Sequence, residues 1–416
     1  MGTYIVLASN GYIGDWEETM AEKKRMANLE LLRCVAMMMV VVLHYLGKGG
    51  LLPDLTGECM DCTGVAAWLL EALCIVAVNV YMFISGYFLC TSHFKLSRLL
   101  QLWFQLWMYS VVFGVLGALT GVVAETPVDT HYFLTLLFPV SMGHYWFMTA
   151  YIFLYLLLPF VGLAARKMTK QQMQIAVGAL FTVFCVIKSV LPFRLEMDAK
   201  GYDCLWYLCV FLAAAYVRRF GVPFLEKRGR GILLYIGCCL LAFGGTLGLR
   251  AVYLRTGSLG RMVGMCMEYN HILPFLAAVG LFAAFSRLHV NEKISHVINK
   301  IAPHTLGVYL LHENLGLRYT WQKWLGASKT WGLRVSCPEA VTTLILRTLT
   351  AVVCVFVCGI LVDMARAGLM KGIHCVLSRF GCYQRLTEKI AAADRVFTER
   401  KDGEEKAKGI EEKYAE

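Results

Sequence analysis

Residues 28–47, NLELLRCVAMMMVVVLHYLG, join a long apolar run to two polar residues that lipid excludes. The run is mostly Leu, Val, Met, Ala and Cys, and it is interrupted by Arg33 and His44. About 20 such residues are needed to cross a ~30 Å hydrocarbon core. The stretch therefore predicts a transmembrane helix, in which an arginine and a histidine need an explanation because charged groups inside a membrane usually mark function.

The composition extends this interpretation to the whole chain. Of its 416 residues, 58% are hydrophobic and only 17% are charged, with a net charge of +11. The basic residues lie in short clusters between apolar blocks, which is typical of cytoplasmic loops and does not indicate nucleic-acid binding. We expect an all-α, polytopic membrane bundle with the lipid bilayer as partner and no nucleic acid.

The order of apolar blocks predicts about ten transmembrane helices. The blocks fall near 29–47, 64–90, 99–124, 144–165, 172–193, 203–220, 231–252, 270–289, 304–321 and 340–365. A further segment, 131–140, is too short to span and is expected to be re-entrant or interfacial. The basic clusters alternate so that most of them fall on one side, which predicts that both termini are cytoplasmic.

The chain divides into three parts. Residues 1–27 are mixed and charged, so we expect a cytoplasmic segment without a cleavable signal peptide, followed by a first helix that acts as an uncleaved anchor. Residues 28–365 form the membrane-embedded domain. Residues 366–416 are charged and poor in apolar side chains, which predicts a cytoplasmic tail, either solvated or a frayed helix.

Sixteen cysteines are present, and most lie inside apolar blocks, where a thiol behaves as a small hydrophobic group. Cys59 and Cys62 form a single C-x2-C pair in a short loop. A zinc site needs about four ligands, and no second pair is near. Inert thiols, a disulfide and a metal site all remain open for this pair, and we expect no bound metal.

Arg33 and His44 share one face of the first helix. Eleven residues separate them, and at about 100° per residue they differ by only about 20° in direction and by about 16 Å along the axis. We expect Arg33 near the cytoplasmic headgroups and His44 beyond the midplane. Arg33 can instead be a topology anchor, and His44 a hydrogen-bonded residue near the outer interface.

This spacing resembles a known signature. RCVAMMMVVVLH matches the R-x10-H pattern in the first helix of the acyltransferase-3 family, integral membrane O-acyltransferases that modify surface glycans. Further pieces follow in that family's order: VNVYMFISGYFL at 78–89, FKLSRLLQLW at 94–103, HYWFMTAYIFLYLLLP at 144–159 and LGVYLLHENL at 306–315. The resemblance covers roughly residues 28–365.

The chain departs from the family pattern at two points. Asn79 stands where many members carry Asp, a form that resembles a subgroup common in bacterial exopolysaccharide acetylation. No hydrolase-like domain of the kind that some members carry follows the last apolar block. The resemblance thus implies a stand-alone acyltransferase in the bacterial cytoplasmic membrane.

Acyl transfer to a hydroxyl needs a base and a site for an anionic donor. His44 suits the base, because its pKa lies near neutrality, and it can act directly or relay the acyl group covalently. Arg33 suits a donor phosphate or thioester oxygen, because a guanidinium keeps its charge and offers several donors. Lys95 and Arg98 can add phosphate contacts or serve only topology.

The second apolar block carries Glu71, Asn79 and Ser85. Glu71 lies at about the depth of His44, so we expect it as a catalytic partner that orients the ring, although another group can be its partner instead. Asn79 and Ser85 are candidates for acceptor binding or for structure.

Two later helices supply further acceptor-binding candidates. Trp146 and Phe147 fit either an interfacial aromatic belt or a sugar-stacking surface, and His144 needs no function. Adjacent helical residues point about 100° apart, so at most one of His312 and Glu313 is expected to face a cavity, and His312 is the stronger candidate.

These residues predict a membrane O-acetyltransferase that moves an acetyl or other short acyl group from cytoplasmic acetyl-CoA to a hydroxyl of a surface polysaccharide or its lipid-linked precursor. Acetyl-CoA is then a co-substrate, with no permanent cofactor, and the glycan acceptor is a further partner. The alternative is a transporter or flippase, in which the same polar residues bind substrate or protons. The sequence leaves the acyl group, the acceptor and the oligomeric state open.

Overall fold

The computed structural model describes residues 26–57, 59–122, 127–191, 198–327 and 336–398. The described chain is all helical, with 79% helix and no strands. The predicted segments 1–25 and 399–416 lie outside the described residues. The α-helices are α1 Ala27–Lys48, α2 Cys62–Cys74, α3 Ala77–Leu89, α4 Leu96–Thr120, α5 Thr130–Leu137, α6 Trp146–Lys167, α7 Lys170–Phe181, α8 Ile187–Val190, α9 Cys204–Phe220, α10 Arg228–Thr256, α11 Ile272–Ser286, α12 Glu292–Ile301, α13 Thr305–His312, α14 Trp321–Trp324, α15 Cys337–Leu377 and α16 Gly381–Thr398.

Eight helical stretches of the described chain are long and apolar enough to cross a membrane. Two of the ten predicted blocks are not among them. Block 203–220 forms α9, which has 17 residues and is about 26 Å long, slightly less than the hydrocarbon core. Block 304–321 forms α13, which has only eight residues before the chain turns away. The all-helical membrane fold is confirmed, and the number of spans and the cytoplasmic termini remain predictions.

The bundle has two ends, which we name after the two polar residues of α1. At the Arg33 end, the Asn28 side-chain amide donates to the Ser286 carbonyl oxygen at 2.9 Å, so the start of α1 meets the end of α11. At the His44 end, the Tyr45 hydroxyl donates to the Leu325 carbonyl oxygen at 3.0 Å. The first helix is thus fixed at both ends by residues far away in sequence.

Small residues let the central helices approach closely. A Cβ atom on Gly86 of α3 would lie 2.9 Å from both the Ala214 Cβ and the Phe211 Cα atoms of α9. Real Cβ contacts are not so short, so this position in the Phe-x-x-Ser-Gly-Tyr element admits only glycine without a backbone shift. The element therefore has a packing role.

The segment predicted to be re-entrant forms α5, an eight-residue helix that packs on α4. The Tyr132 hydroxyl donates to the Gly114 carbonyl oxygen at 2.7 Å. A Cβ on Gly114 would lie 2.3 Å from Leu136, so α5 contacts the backbone of α4 directly. This segment is far too short to span a bilayer.

A disulfide joins the first residue of α2 to the first residue of α15. Cys62 is bonded to Cys337, with 6.1 Å between their Cα atoms. Cys59, the other member of the C-x2-C pair, is a free and exposed thiol. The two cysteines of the C-x2-C pair therefore have different roles, and the long-range disulfide lies at the His44 end.

The segment expected as a charged tail is helical as far as Thr398 and returns to the bundle. Asp394 of α16 accepts hydrogen bonds from the Ser97 backbone N–H at 3.2 Å and from the Ser97 hydroxyl at 2.5 Å. Phe397 contacts Phe94, with ring centroids 5.0 Å apart. Because a helix N-terminus attracts anions, Asp394 caps α4 at the Arg33 end.

A π-helical turn, Thr182–Val186, interrupts the fifth span between α7 and α8. Just after it, Lys188 is only 6% exposed. Its ammonium lies 2.6 Å from Asp198, 2.7 Å from Glu268 and 2.5 Å from the Asn270 amide oxygen. A charge inside a membrane helix requires such partners, so this lysine ties the span to two loops.

Candidate active site

His44 is the centre of a buried polar cluster at its end of the bundle. Its Nδ1 atom lies 2.9 Å from Nε2 of His312 and 3.2 Å from Oε1 of Glu313. His312 and Glu313 are 3% and 4% exposed. A histidine in α1 therefore meets two polar residues from near the other end of the sequence.

Both His312 and Glu313 face His44, which corrects the expectation that only one of them can. α13 ends at His312, and Glu313 is its C-cap residue, whose backbone N–H still donates to the Tyr309 carbonyl oxygen at 3.0 Å. The two side chains therefore leave the helix end in different directions, and each is long enough to reach Nδ1 of the His44 ring.

The cluster contains more charge than the sequence analysis assigned to it. The Lys48 ammonium donates to both carboxylate oxygens of Glu313. The Arg318 guanidinium lies 4.0 Å from the same carboxylate. A negative charge is therefore held beside His44 by two cations, which offset the cost of burying it.

The ligand atoms of His44, His312 and Glu313 lie within 4.8 Å of one another, a spacing that a metal ion can bridge. The Glu313 carboxylate is already paired with the Lys48 ammonium, and Arg318 gives the cluster one cation more than its single carboxylate. A metal ion would therefore have to share this carboxylate with Lys48.

A layer of neighbouring groups fixes the turn that carries Glu313. Trp321 donates its indole N–H to the His312 carbonyl oxygen at 3.1 Å. The Asn314 amide donates to the Tyr109 carbonyl oxygen at 3.0 Å. The Arg318 guanidinium donates to the carbonyl oxygen of His144 at 2.8 Å, so His144 takes part in shaping the turn, a role not expected from sequence.

Arg33 lies at the other end of α1 and is half-buried. Its Nη1 atom donates to Glu30 at 2.8 Å, and its guanidinium lies over the Phe88 ring at 5.6 Å. The guanidinium makes no other hydrogen bond to the described residues, so its remaining N–H groups can bind a ligand. The Tyr81 hydroxyl donates to the Arg33 carbonyl oxygen at 2.7 Å and fixes the local backbone.

Lys95 and Arg98 lie at the Arg33 end, at the start of α4. The Lys95 backbone N–H donates to the Tyr155 hydroxyl at 3.0 Å, and Arg98 interacts with the same hydroxyl. The Asp394 carboxylate binds Ser97, which lies between these two residues in the sequence. These two basic residues and Arg33 thus lie at one end of the bundle, as the sequence predicts.

The residues of the second block separate into different roles. Glu71 makes no hydrogen bond or ion pair with His44 among the described residues, and its buried Oε2 atom has no hydrogen-bond partner there. Asn79 is fully buried, donates to the Tyr269 carbonyl oxygen at 2.7 Å and accepts from the Trp206 indole at 2.9 Å. A carboxylate at position 79 could not donate, which explains why an amide suits this chain. Ser85 is partly buried on α3, directly before Gly86.

Trp146 and Phe147 belong to a continuous line of aromatic rings. The Phe147 ring centroid lies 5.8 Å from that of Trp146 and 6.2 Å from that of Tyr309. Tyr309 in turn lies 6.1 Å from His312. Phe147 is 9% exposed, so it is a core residue rather than part of an interfacial belt, and it connects Trp146 to the His44 cluster.

One family model matches this chain. It is the acyltransferase domain of the acyltransferase-3 family, and the match runs over residues 26–363. The chain belongs to the acyltransferase-3 family. This acyltransferase-3 protein is therefore a multi-pass membrane acyltransferase, and α16 lies beyond the matched region. Comparisons with curated proteins and with solved structures gave no match.

Sequence reasoning on this acyltransferase-3 protein undervalued three residues of the His44 cluster. The sequence ranks Glu313 below its neighbour His312, and it does not single out Lys48 or Arg318 for the site. The available signal was the concentration of charge in HENLGLR directly after an apolar helix. Charges so close to a membrane span usually have partners.

Proposed function

We propose that this protein transfers an acetyl group, or another short acyl group, from acyl-CoA to a hydroxyl of a surface glycan or its lipid-linked precursor. The donor binds at the Arg33 end, which is the cytoplasmic end in the predicted topology. The acceptor binds at the His44 end. The observation that carries the proposal is the contact of His44 with His312 and Glu313 inside a membrane acyltransferase.

The hydrogen bonds around His312 determine which nitrogen of His44 is the base. His312 Nδ1 lies 2.6 Å from the Val308 carbonyl oxygen, which can only accept, so Nδ1 carries the proton. Neutral His312 then accepts at Nε2, and His44 donates from Nδ1. His44 Nε2 is left with its lone pair free to take a proton.

The transfer then balances as follows. His44 Nε2 removes the proton of the acceptor hydroxyl, and the oxygen attacks the thioester carbonyl carbon. The carbon–sulfur bond breaks, the coenzyme A thiolate leaves, and the proton on His44 passes to it. The Glu313 carboxylate stabilises the imidazolium that forms in between, as a carboxylate does for a catalytic histidine elsewhere.

A covalent route uses the same nitrogen. His44 Nε2 attacks the thioester carbonyl carbon first, and the carbon–sulfur bond breaks as the thiolate leaves. The acceptor oxygen then attacks the acyl carbon, the carbon–nitrogen bond breaks, and the hydroxyl proton passes to the thiolate, so His44 returns to its neutral form. Both routes need Nε2 free and Nδ1 held. Arg33 lies about 16 Å along α1 from His44, so its remaining N–H donors support a phosphate of the donor in either case.

The test is base-labile acetate on the surface glycan of the host, with a deletion strain complemented by wild type, His44→Ala or His131→Ala at equal membrane levels. His131 is exposed and serves as the matched control. We expect acetate to return with wild type and His131→Ala and to stay absent with His44→Ala. Acetate restored by His44→Ala would remove His44 from the chemistry, and acetate unchanged in the deletion strain would favour a carrier or another acyl group.

A further inference from the structure

A second group of aromatic residues lies near the His44 cluster, where α6 begins. Trp146, Tyr202 and Tyr269 contact one another, with ring centroids 4.4 Å apart for Trp146 and Tyr202, 4.8 Å for the two tyrosines and 5.8 Å for Trp146 and Tyr269. We call these three residues the aromatic triad. Its members come from α6, the loop before α9 and the loop before α11.

A cleft of about 180 Å³ opens beside the triad. Trp146, Thr149 and Phe153 line it from α6, and Tyr202 and Asp203 line it from the loop before α9. Pockets for drug-sized ligands occupy about 300–1,000 Å³. The cleft therefore has room for one small ring, and a longer chain attached to that ring has to continue outside.

Tyr269 is held in place on both sides. Asn79 binds its carbonyl oxygen, and the neighbours Glu268 and Asn270 both bind the Lys188 ammonium, at 2.7 Å and 2.5 Å. A buried charge cluster of this kind adds little net stability, whereas it can fix a geometry. The triad is therefore a preorganised surface, and preorganisation is what binding sites gain from such support.

Three carboxylates lie within electrostatic range of the triad, and two of them are paired with lysines, Glu268 with Lys188 and Glu313 with Lys48. The pKa of the Tyr202 phenol is raised, first by burial and further by the charges of Glu71, Glu268 and Glu313, while its hydrogen bond with Tyr269 opposes the rise. Glu313 is the residue bound to His44, so the Tyr202 hydroxyl lies within electrostatic range of the catalytic cluster. Glu71 also brings a buried carboxylate oxygen that accepts no hydrogen bond from the described residues.

We infer that the cleft and the aromatic triad form the acceptor subsite and bind a single neutral sugar ring. The inference rests on the proposed function. The apolar face of a pyranose packs on Trp146 and Tyr202, and a sugar hydroxyl donates to the Asp203 carboxylate, which lines the cleft. Acidic sugars are disfavoured, because the described lining of the cleft contains this carboxylate and no basic residue.

The line of rings from Trp146 through Phe147 and Tyr309 to His312 connects the subsite to the base. Phe147 and Tyr309 are buried, so these packed rings fix the position of the subsite relative to the base. This assigns Trp146 and Tyr202 to acceptor specificity.

The test uses the purified full-length protein in lipid nanodiscs, with acetyl-CoA as donor and de-O-acetylated surface-glycan fragments of the host as acceptor. Trp146→Ala and Tyr202→Ala are each expected to raise the acceptor KM about tenfold, the effect of losing one aromatic contact. The donor KM is expected to stay unchanged. Tyr202→Phe keeps the ring and is expected to remain near wild type.

Phe160→Ala is the matched control, because Phe160 is on the same helix and 74% exposed. An unchanged acceptor KM in both alanine variants, or an equal loss of donor affinity, would overturn the inference. A wild type that transfers no acetyl group to any fragment would instead count against the proposed function. Inhibition by free acidic oligosaccharides as strong as by neutral ones would overturn the assignment to a neutral ring.

Discussion

The Nδ1 atom of His44 lies 2.9 Å from the Nε2 atom of His312, although 268 residues separate them in sequence. Since His312 is itself held by the Val308 carbonyl oxygen, the contact fixes the tautomer of His44. We expect His312→Ala to lower the transfer rate by about 10–100-fold, the usual cost of losing an orienting group. His312→Gln, whose amide oxygen can accept from His44, is expected to recover part of the rate. The rates of both variants, with donor KM measured in parallel, check this, and equal rates for Ala and Gln would contradict it.

Loss of His44 is expected to lower the transfer rate more than loss of His312. We expect His44→Ala to reduce transfer by about 10²–10⁴-fold, the range for loss of a general base. The measurement is release of free coenzyme A in the presence of acceptor glycan. Exposed His289 supplies a control, His289→Ala, that should retain the wild-type rate.

Glu313 has both a catalytic and a structural effect, which a double variant separates. Glu313→Gln leaves Lys48 with an unpaired buried charge, so both stability and activity are expected to fall, with a stability loss of about 3–5 kcal/mol. Combining Glu313→Gln with Lys48→Met removes that charge, and thermal unfolding should return toward wild type while activity stays low. Recovery of activity in the double variant would show that the carboxylate is needed only for folding.

Asp394 places a negative charge at the start of α4, on Ser97, which lies between the basic residues Lys95 and Arg98 in the sequence. If those residues bind donor phosphates, Asp394→Asn should lower the KM for acetyl-CoA, and the effect should be larger at low salt. Arg98→Gln should raise that KM. Glu388→Gln, on the same helix, controls for a general change in charge. A rise in KM with Asp394→Asn would mean that α16 supports donor binding instead.

Lys188 balances two buried carboxylates, so its loss leaves an unpaired charge. We expect Lys188→Met to destabilise the protein by about 3–5 kcal/mol. Lys170→Met, at the exposed start of the same span, should change stability by less than about 0.5 kcal/mol. Thermal unfolding in nanodiscs measures both, and similar midpoints for the two variants would refute the role of Lys188.

The predicted topology can be tested through two exposed cysteines at opposite ends of the bundle, Cys59 and Cys382. In intact cells, a membrane-impermeant maleimide should label Cys59 and leave Cys382 unlabelled until the cells are opened. Cys59→Ser and Cys382→Ser identify the two signals. Labelling of Cys382 in intact cells would reverse the orientation.

The sequence predicted the helical membrane fold because apolar runs of span length are a local property. The helix α1 and the placement of Arg33 and His44 on it follow from such a run. The partners of His44 were harder to predict from sequence, because Glu313 and Lys48 come together only in the folded bundle. Helical periodicity even predicts that Glu313 faces away from the cavity that His312 faces, and nothing in LGVYLLHENL clearly marks the end of α13.

Lys188 shows the same limit of prediction from sequence. A single lysine inside TVFCVIKSV was a visible signal, yet its partners Asp198 and Glu268 lie on two separate loops. Intramembrane charges predict that a partner exists without telling which one. Glu71 illustrates the converse, since a depth argument predicts it beside His44, while its buried Oε2 atom has no hydrogen-bond partner among the described residues.

The π-helical turn at Thr182–Val186 makes the number of residues in its span as important as their chemistry. Such a turn contains one residue more than an α-helix would hold over the same length. Deleting one of these five residues would therefore restore the regular helix over the same length and leave the chain after it in nearly the same direction. Lys188 would keep its direction toward Asp198 and Glu268. A deletion in a regular helix instead turns everything after it by about 100°, so this turn is the position in the span where losing one residue is expected to disturb the Lys188 contacts least.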